Sequence, residues 1–142
     1  MVKQLSVFIQ NKAGKIASIV SALSEGGVDI RALSIADTAD FGILRMLVND
    51  ITTAKSILSK QNCIVSINDV CVVAVPDTPG GLARLLQTTS KEGIDIEYMY
   101  SLIARSEEKA FMVVRVSDEE KLIKVLEQAS IEITGADILG LA

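Results

Sequence analysis

The first half of the chain changes its hydrophobic period several times. From Gln4 to Gln10 apolar and polar residues alternate, with Phe8 the one apolar residue on the polar side, so this segment is predicted to be a half-buried strand. The next segment has apolar residues at i, i+3, i+4 and i+7, which is typical of a helix. This stripe consists of Ile16, Ile19, Val20 and Leu23. The remaining elements are two strands, a second helix and a closing strand, at Val28–Ala36, Phe41–Val48, from Asn49-Asp50 onward, and Cys63–Ile67.

The second half repeats this order of elements. Asn11-Lys12-Ala13-Gly14 aligns with Asp77-Thr78-Pro79-Gly80, and at the same offset Gly27-Val28-Asp29-Ile30 aligns with Gly93-Ile94-Asp95-Ile96. Internal repeats of this kind indicate a duplicated structural unit. We therefore predict two domains, residues 1–68 and 69–142.

The elements of the second copy have clear signals of their own. Pro79 suits the first position of a helix, whose predicted apolar stripe is Leu82, Leu85 and Leu86. The following alternation predicts a strand with one apolar face. This face consists of Ile94, Ile96, Tyr98, Tyr100 and Leu102.

Each copy thus has the order βαββαβ, which is the ferredoxin-like plan. The predicted fold class is α+β, with an antiparallel four-stranded sheet and two helices on one face in each unit. A unit of about 70 residues has a thin core, so the two units are expected to pack together. Two arrangements stay open: edge to edge, as one continuous eight-stranded sheet, or through the helix faces.

Composition limits the cellular context. The chain has 142 residues, of which 49% are hydrophobic, and its mean hydropathy is +0.41. The longest apolar run, Val70–Val75, is far shorter than the roughly 20 residues of a membrane-spanning helix. The N-terminus lacks the features of a signal peptide. We therefore expect a cytoplasmic protein with no membrane partner.

Charge and side-chain inventory exclude several functions. The net charge of −4, the absence of Trp and the 4% of aromatic residues argue against a nucleic-acid partner. The chain has no histidine, so the usual general base, Ser–His and Cys–His nucleophiles and His-ligated zinc are all missing. Cys63 and Cys71 lie in strand-like runs and are predicted to be small buried hydrophobes. We expect no enzyme activity, no catalytic residue, no metal and no cofactor.

Two recurring polar segments are the candidate binding elements. The turns at 11–14 and 77–80 point backbone N–H groups at a helix N-terminus, which suits a carboxylate, and their Asx residue suits an ammonium. The same turns also fit a plain helix cap with a relaxing glycine. Asp29 and Asp95 open the second strand of each copy. Their recurrence favours a shared role, either structural or in ligand binding.

Together these motifs resemble the ACT domain, twice over essentially the whole chain. The resemblance is greatest to stand-alone tandem ACT proteins, through three segments. They are Arg31–Thr38 with Phe41–Arg45, Pro76–Leu82, and the ending Leu139-Gly140-Leu141. ACT domains are regulatory modules that bind small ligands, mostly amino acids, between the first turn of one unit and the second strand of another. Ala13 departs from the family's usual proline, which leaves the first turn less rigid.

The resemblance implies a set of ligand-binding residues in this chain. The set comprises Asn11, Ala13, Gly14, Lys15, Asp29, Asp77, Thr78, Pro79, Gly80, Gly81, Leu82 and Asp95. It also implies a non-catalytic regulatory protein that binds an amino acid between ACT units, forms a homodimer and is read by a partner enzyme. The alternative is an accessory subunit that acts by protein contact, with vestigial ligand binding and a sizeable apolar patch.

Overall fold

The computed structural model describes residues 1–10, 12–37, 41–104 and 108–141. Within these residues the chain forms four helices and seven strands. The strands are β1 (Val2–Gln10), β2 (Ile30–Asp37), β3 (Phe41–Val48), β4 (Ile64–Pro76), β5 (Ile96–Ser101), β6 (Lys109–Val116) and β7 (Glu132–Ile133). The helices are α1 (Lys15–Glu25), α2 (Ile51–Lys60), α3 (Gly81–Lys91) and α4 (Glu119–Gln128).

Packing divides the chain into two units. The first unit is Lys3–Asn68 with Gly140–Ala142, and the second is Asp69–Leu139 with Met1–Val2. The strand order is β2-β3-β1-β4 in the first unit and β7-β4-β6-β5 in the second. This is the predicted pair of ferredoxin-like βαββαβ units, which is confirmed. The eight strands of the two plans become seven elements because β4 is both the last strand of one copy and the first of the next.

The core of the first unit lies between its sheet and its two helices. Alternate residues of β1 and β3 meet the buried stripes of α1 and α2, as their periods predict. The buried cluster is Leu5, Val7, Ile9, Ile19, Leu23, Val28, Leu44, Met46, Val48, Ala54 and Leu58. Gly26 ends α1 as its C-cap residue.

The other face of β1 is not solvated as the alternation predicts. Gln4 is 0% and Ser6 is 7% exposed. The two side chains are hydrogen-bonded to Asn68 of β4, because Gln4 Nε2 and Ser6 Oγ donate to Asn68 Oδ1 at 3.3 and 3.2 Å. Buried polar groups that are hydrogen-bonded in this way carry little penalty, which explains polar residues on a buried strand.

The second unit has an equivalent core with one change in its apolar stripes. Its buried cluster is Cys71, Val73, Val75, Leu85, Val114, Val116, Leu122, Leu126 and Ile131. In α3 the buried residues are Gly81, Leu85 and Thr89, while Leu82 of the predicted stripe is 42% exposed. The helix is therefore rotated about its axis from the predicted orientation, so that Leu85 faces the sheet and Leu82 does not.

The predicted single apolar face from Ile94 to Leu102 is wrong. The pairing of β5 with β6 shifts register between Ile96 and Tyr98. A shift of this kind moves the following side chains to the opposite face. Ile96 and Met99 accordingly pack against the core, whereas Tyr98 and Tyr100 stack on the other face with ring centroids 6.4 Å apart. The same irregularity occurs in β2, between Ile30 and Ala32.

A prediction about stability follows from two glycines. A Cβ at Gly81 would lie 2.1 Å from the backbone oxygen of Pro76, whereas one at Gly26 would lie 2.2 Å from the terminal Cδ1 of Ile57. Backbone cannot yield as a flexible side chain can, so Gly81→Ala should cost about 1–3 kcal/mol of unfolding free energy. The matched Gly26→Ala should cost less than about 1 kcal/mol. Urea denaturation of both variants measures this difference, and equal losses would contradict it.

Candidate functional site

The first strand–helix turn of each unit ends in a glycine with left-handed backbone. Gly14 has φ of 84° and Gly80 has φ of 93°, and these are the N-cap residues of α1 and α3. A side chain at this φ would be strained, so glycine is the residue that permits the turn. The first helix of the second unit, α3, begins at Gly81, so the expectation that Pro79 occupies its first position is wrong. Pro79 lies in the turn before the cap.

No described side chain caps α1 or α3. Asp77 therefore does not serve as the cap that its residue type suggests, and its backbone N–H donates to the oxygen of Glu108 at 2.9 Å. Asn11 lies outside the described residues. The N–H of the first residue of each helix donates to the turn itself, to the oxygen of Lys12 at 3.2 Å in α1 and to that of Thr78 at 3.1 Å in α3. The next N–H groups of a helix have no partner within it, and they are the donors that a ligand at these turns could use.

The second helix of each unit begins differently. Asp50 caps α2, because its carboxylate accepts from the hydroxyl of Thr53 at 2.6 Å and from the backbone N–H of Thr53 at 3.0 Å. These hydrogen bonds lower the pKa of Asp50 below its ordinary value. Asp118 caps α4 through the backbone N–H of Lys121 at 3.0 Å. The contrast with Gly14 and Gly80 distinguishes the two uncapped turns from ordinary helix starts.

The other predicted turn residues are mostly open to solvent. Ala13, Asp77, Thr78 and Pro79 are exposed, and Lys15 is half-buried. Gly81 is buried because the start of α3 lies against the end of β4, where the backbone of Pro76 leaves no room for a Cβ. A ligand can therefore approach these turns from solvent, but not from the side of α3 that packs against the end of β4.

Asp29 lies at the opening of β2. Its backbone N–H donates to Oδ1 of Asn49 at 2.8 Å, and its Oδ2 lies 3.3 Å from Nη1 of Arg31. Asp29 is 61% and Arg31 is 33% exposed in their side chains. Asp95, its counterpart, is exposed just before β5. Arg31 is a site candidate that the sequence reasoning missed, although its place two residues after Asp29 was a usable signal.

Within one unit the turn and the strand opening do not meet. β3 spans the distance between them, because Gln10 at the turn pairs with Phe41 and Ile30 at the strand opening pairs with Val48. Seven residue steps of about 3.3 Å make this separation roughly 23 Å. In the second unit β6 separates Pro76 from Ile96 in the same way. A small ligand therefore cannot contact both kinds of element within one unit.

Two cavities at equivalent positions flank the turns. The cavity in the first unit has a volume of about 560 Å³ and is lined by Phe8, Lys12, Lys15, Phe41 and Asn62. The one in the second unit has about 330 Å³ and is lined by Val75, Gly81, Arg84, Lys109 and Glu132. Each lies between the end of the first strand, the start of the first helix and the turn after the second helix. The sequence reasoning identified the turns but not these cavities.

Other kinds of site find little support in the described ranges. No cluster of three or more metal-ligating His, Cys, Asp or Glu side chains occurs there. Among the same residues, no helix has the length and apolar character needed to cross a bilayer. Burial raises the pKa of the Cys71 thiol to about 11, so this side chain is held as the unreactive thiol.

The cysteines give a second prediction. Cys71 is 1% exposed, whereas Cys63 is half-buried beside a cavity. Because the thiolate is the reactive form, a disulfide reagent such as Ellman's should modify Cys63 in the folded protein and reach Cys71 only after denaturation. Spectrophotometric titration of the wild type and of Cys63→Ser measures this. Rapid labelling of folded Cys63→Ser would contradict the burial of Cys71.

Comparison with known proteins identifies the fold family. No curated protein sequence matches the chain. Protein BT0572 from Bacteroides thetaiotaomicron, a solved structure, is 38% identical over 98% of this chain and 95% of its own, with a TM-score of 0.88. The regulatory subunit of aspartate kinase from Thermus thermophilus is 18% identical over 89% of this chain and 91% of its own, with a TM-score of 0.66. The family model of the ACT domain pair matches residues 1–139. The chain therefore belongs to the ACT domain pair family.

Proposed function

We propose that the chain is a non-catalytic regulatory protein that binds an amino acid between two ACT units. The observation that carries this proposal is the pair of uncapped helix starts at Gly14 and Gly80, in a chain whose other two helices are capped by Asp50 and Asp118. Open N–H groups and the positive end of a helix dipole attract a carboxylate. The carboxylates of Asp29 and Asp95 attract an ammonium.

The separation within each unit supports a site shared between units. The turn and the strand opening lie at opposite ends of β3 in one unit and of β6 in the other. A ligand held by a turn of one unit and a strand opening of another, within one chain or across a homodimer, favours the packing that brings them together. It does so by its greater affinity for that packing.

A separate partner enzyme in the cytoplasm is regulated by this change of packing. The structurally similar protein from Thermus thermophilus is itself a regulatory subunit, that of aspartate kinase. Its 18% identity supports the fold and not the partner. The proposal therefore names the kind of partner, a metabolic enzyme controlled by an amino acid, and no particular enzyme.

The second candidate is an accessory subunit that acts by protein contact alone. The first unit favours it through three exposed apolar side chains around one cavity: Phe8 is 44%, Phe41 57% and Ile64 71% exposed. Exposed apolar patches often mark protein interfaces. This function needs no amino acid, which separates it from the first proposal.

A ligand screen tests the choice between these functions. A ligand at about 100 times its Kd should stabilise the protein by roughly 2.7 kcal/mol, which raises Tm by several degrees for a chain of this size. A thermal-shift panel of the twenty amino acids, followed by calorimetry, should show a selective rise for one or a few. A flat panel with well-folded protein would favour the accessory subunit, with capture of a partner enzyme as the next experiment.

Substitution of the strand openings tests the site. The double variant Asp29→Ala and Asp95→Ala removes both carboxylates that are proposed to bind the ammonium, so we expect at least a tenfold weaker affinity for the amino acid found in the panel. The matched control, Glu127→Ala and Asp137→Ala, removes two exposed charges elsewhere in the chain and should bind as the wild type does. Unchanged calorimetric affinity of the first variant would refute the site assignment.

A further inference from the structure

The cavity of the first unit and its counterpart in the second differ in the side chains at their rims. The strand pairings make Phe41 the counterpart of Lys109, because each lies opposite the last residue of the strand that precedes the turn. Ile64 is the counterpart of Glu132, because each is the second residue after the positive-φ residue that follows the second helix of its unit. The two units therefore carry different chemistry on the same framework.

In the second unit these two positions form an ion pair. Lys109 Nζ and Glu132 Oε2 lie 2.5 Å apart, and their side chains are 46% and 48% exposed. Arg84, the other cation of that lining, donates from Nη2 to the backbone oxygen of Ala129 at 2.6 Å. The rim of the second cavity is therefore a solvated surface with paired charges, and both of its cations are engaged within the unit.

In the first unit the same two positions are apolar. Phe41 is 57% and Ile64 is 71% exposed, and Phe8, which is 44% exposed, belongs to the same lining. Adjacent large apolar side chains in contact with solvent often mark a binding surface. Here they surround a cavity of about 560 Å³, which is within the usual size of small-molecule sites. The concave shape favours a small molecule over the flat face of a protein.

The charged part of this lining is cationic. Among the described residues it contains Lys12 and Lys15 and no acid, and no described residue is a partner of either ammonium group. Their counterparts in the second unit, by the alignment of the two turns, are Thr78 and Gly81, which carry no charge. A ligand anion would be attracted by both lysines, whereas a ligand ammonium would be repelled.

We propose that the cavity of the first unit binds an aromatic organic anion, a molecule that carries an aromatic ring and a carboxylate or phosphate group. The ring packs against Phe8, Phe41 and Ile64, and the anionic group lies beside Lys12 and Lys15. This ligand needs neither an ammonium group nor a second unit. The inference therefore goes beyond the proposed function and stands even if the chain binds none of the twenty amino acids.

Charge variants of a phenyl compound test this recognition on the wild-type chain. The probes are two anions, 3-phenylpropanoate and phenyl phosphate, the neutral 2-phenylethanol and the cation 2-phenylethylamine. Calorimetry should show a single site for at least one anion, with the amine at least about tenfold weaker. The ratio of the two anion affinities tells whether a carboxylate or a phosphate is preferred. An amine that binds as tightly as the anions, or no saturable binding of either anion at about 1 mM, would overturn the proposal.

Two double variants test the residues themselves. Phe41→Lys with Ile64→Glu gives the first unit the ion pair that the second unit already has, so the chain should remain folded and bind the anion about tenfold more weakly. Lys12→Gln with Lys15→Gln should weaken the anion by a similar factor and leave 2-phenylethanol unchanged, because only charge is removed. Anion affinity that neither double variant lowers would place the anion elsewhere and refute this site.

The matched control is Lys91→Gln with Lys124→Gln. It removes two exposed lysines of the second unit, so it changes the net charge equally and should bind as the wild type does. Circular dichroism and Tm establish that each variant is folded. Analytical ultracentrifugation tests another occupant of the cavity. A dimer that dissociates when Phe41 and Ile64 are replaced, in a chain that binds neither anion, would make this surface an interface between copies and overturn the proposal.

Discussion

Burial of alternate strand residues beneath two helices is the interaction on which each unit depends. In the first unit Leu5 and Val7 of β1 lie with Leu44 of β3 under Leu23 and Leu58 of the helices. Because burial fixes which residues face inward, it also fixes the register of the strands. The turns and strand openings that connect these elements take their positions from this packing, and their exposed residues are free to serve other purposes.

This packing places the turn and the strand opening at opposite ends of a unit. The first helix begins where β1 ends and runs back across the sheet. The next strand, β2, therefore begins near the start of β1, as in any antiparallel plan of this order. The arrangement prevents a single unit from closing a small site between its own turn and its own strand opening. This separation is the reason that the proposed function takes the turn and the strand opening from different units.

The sequence predicted the order and type of the elements because those follow from hydrophobic period. It failed where backbone geometry depends on tertiary pairing. The register shift at Ile96 reverses the face of Tyr98 and Tyr100 without any local signal, and Pro79 suits a helix start but lies in the turn before it. The candidate turns were found from their repeated glycines. Arg31 was missed because its ion pair with Asp29 becomes visible only when the side chains are placed.

The two copies show which positions folding constrains and which it does not. Leu58 and Leu126 occupy equivalent core positions, where a polar residue would cost several kcal/mol. Arg31 and Glu97 also occupy equivalent positions, but there the side chains are partly exposed and a reversal of charge costs folding little. Folding alone therefore leaves the charges of the strand openings unconstrained. The exposed charges of the two strand openings can therefore differ between the copies without loss of the fold, whereas the core positions cannot.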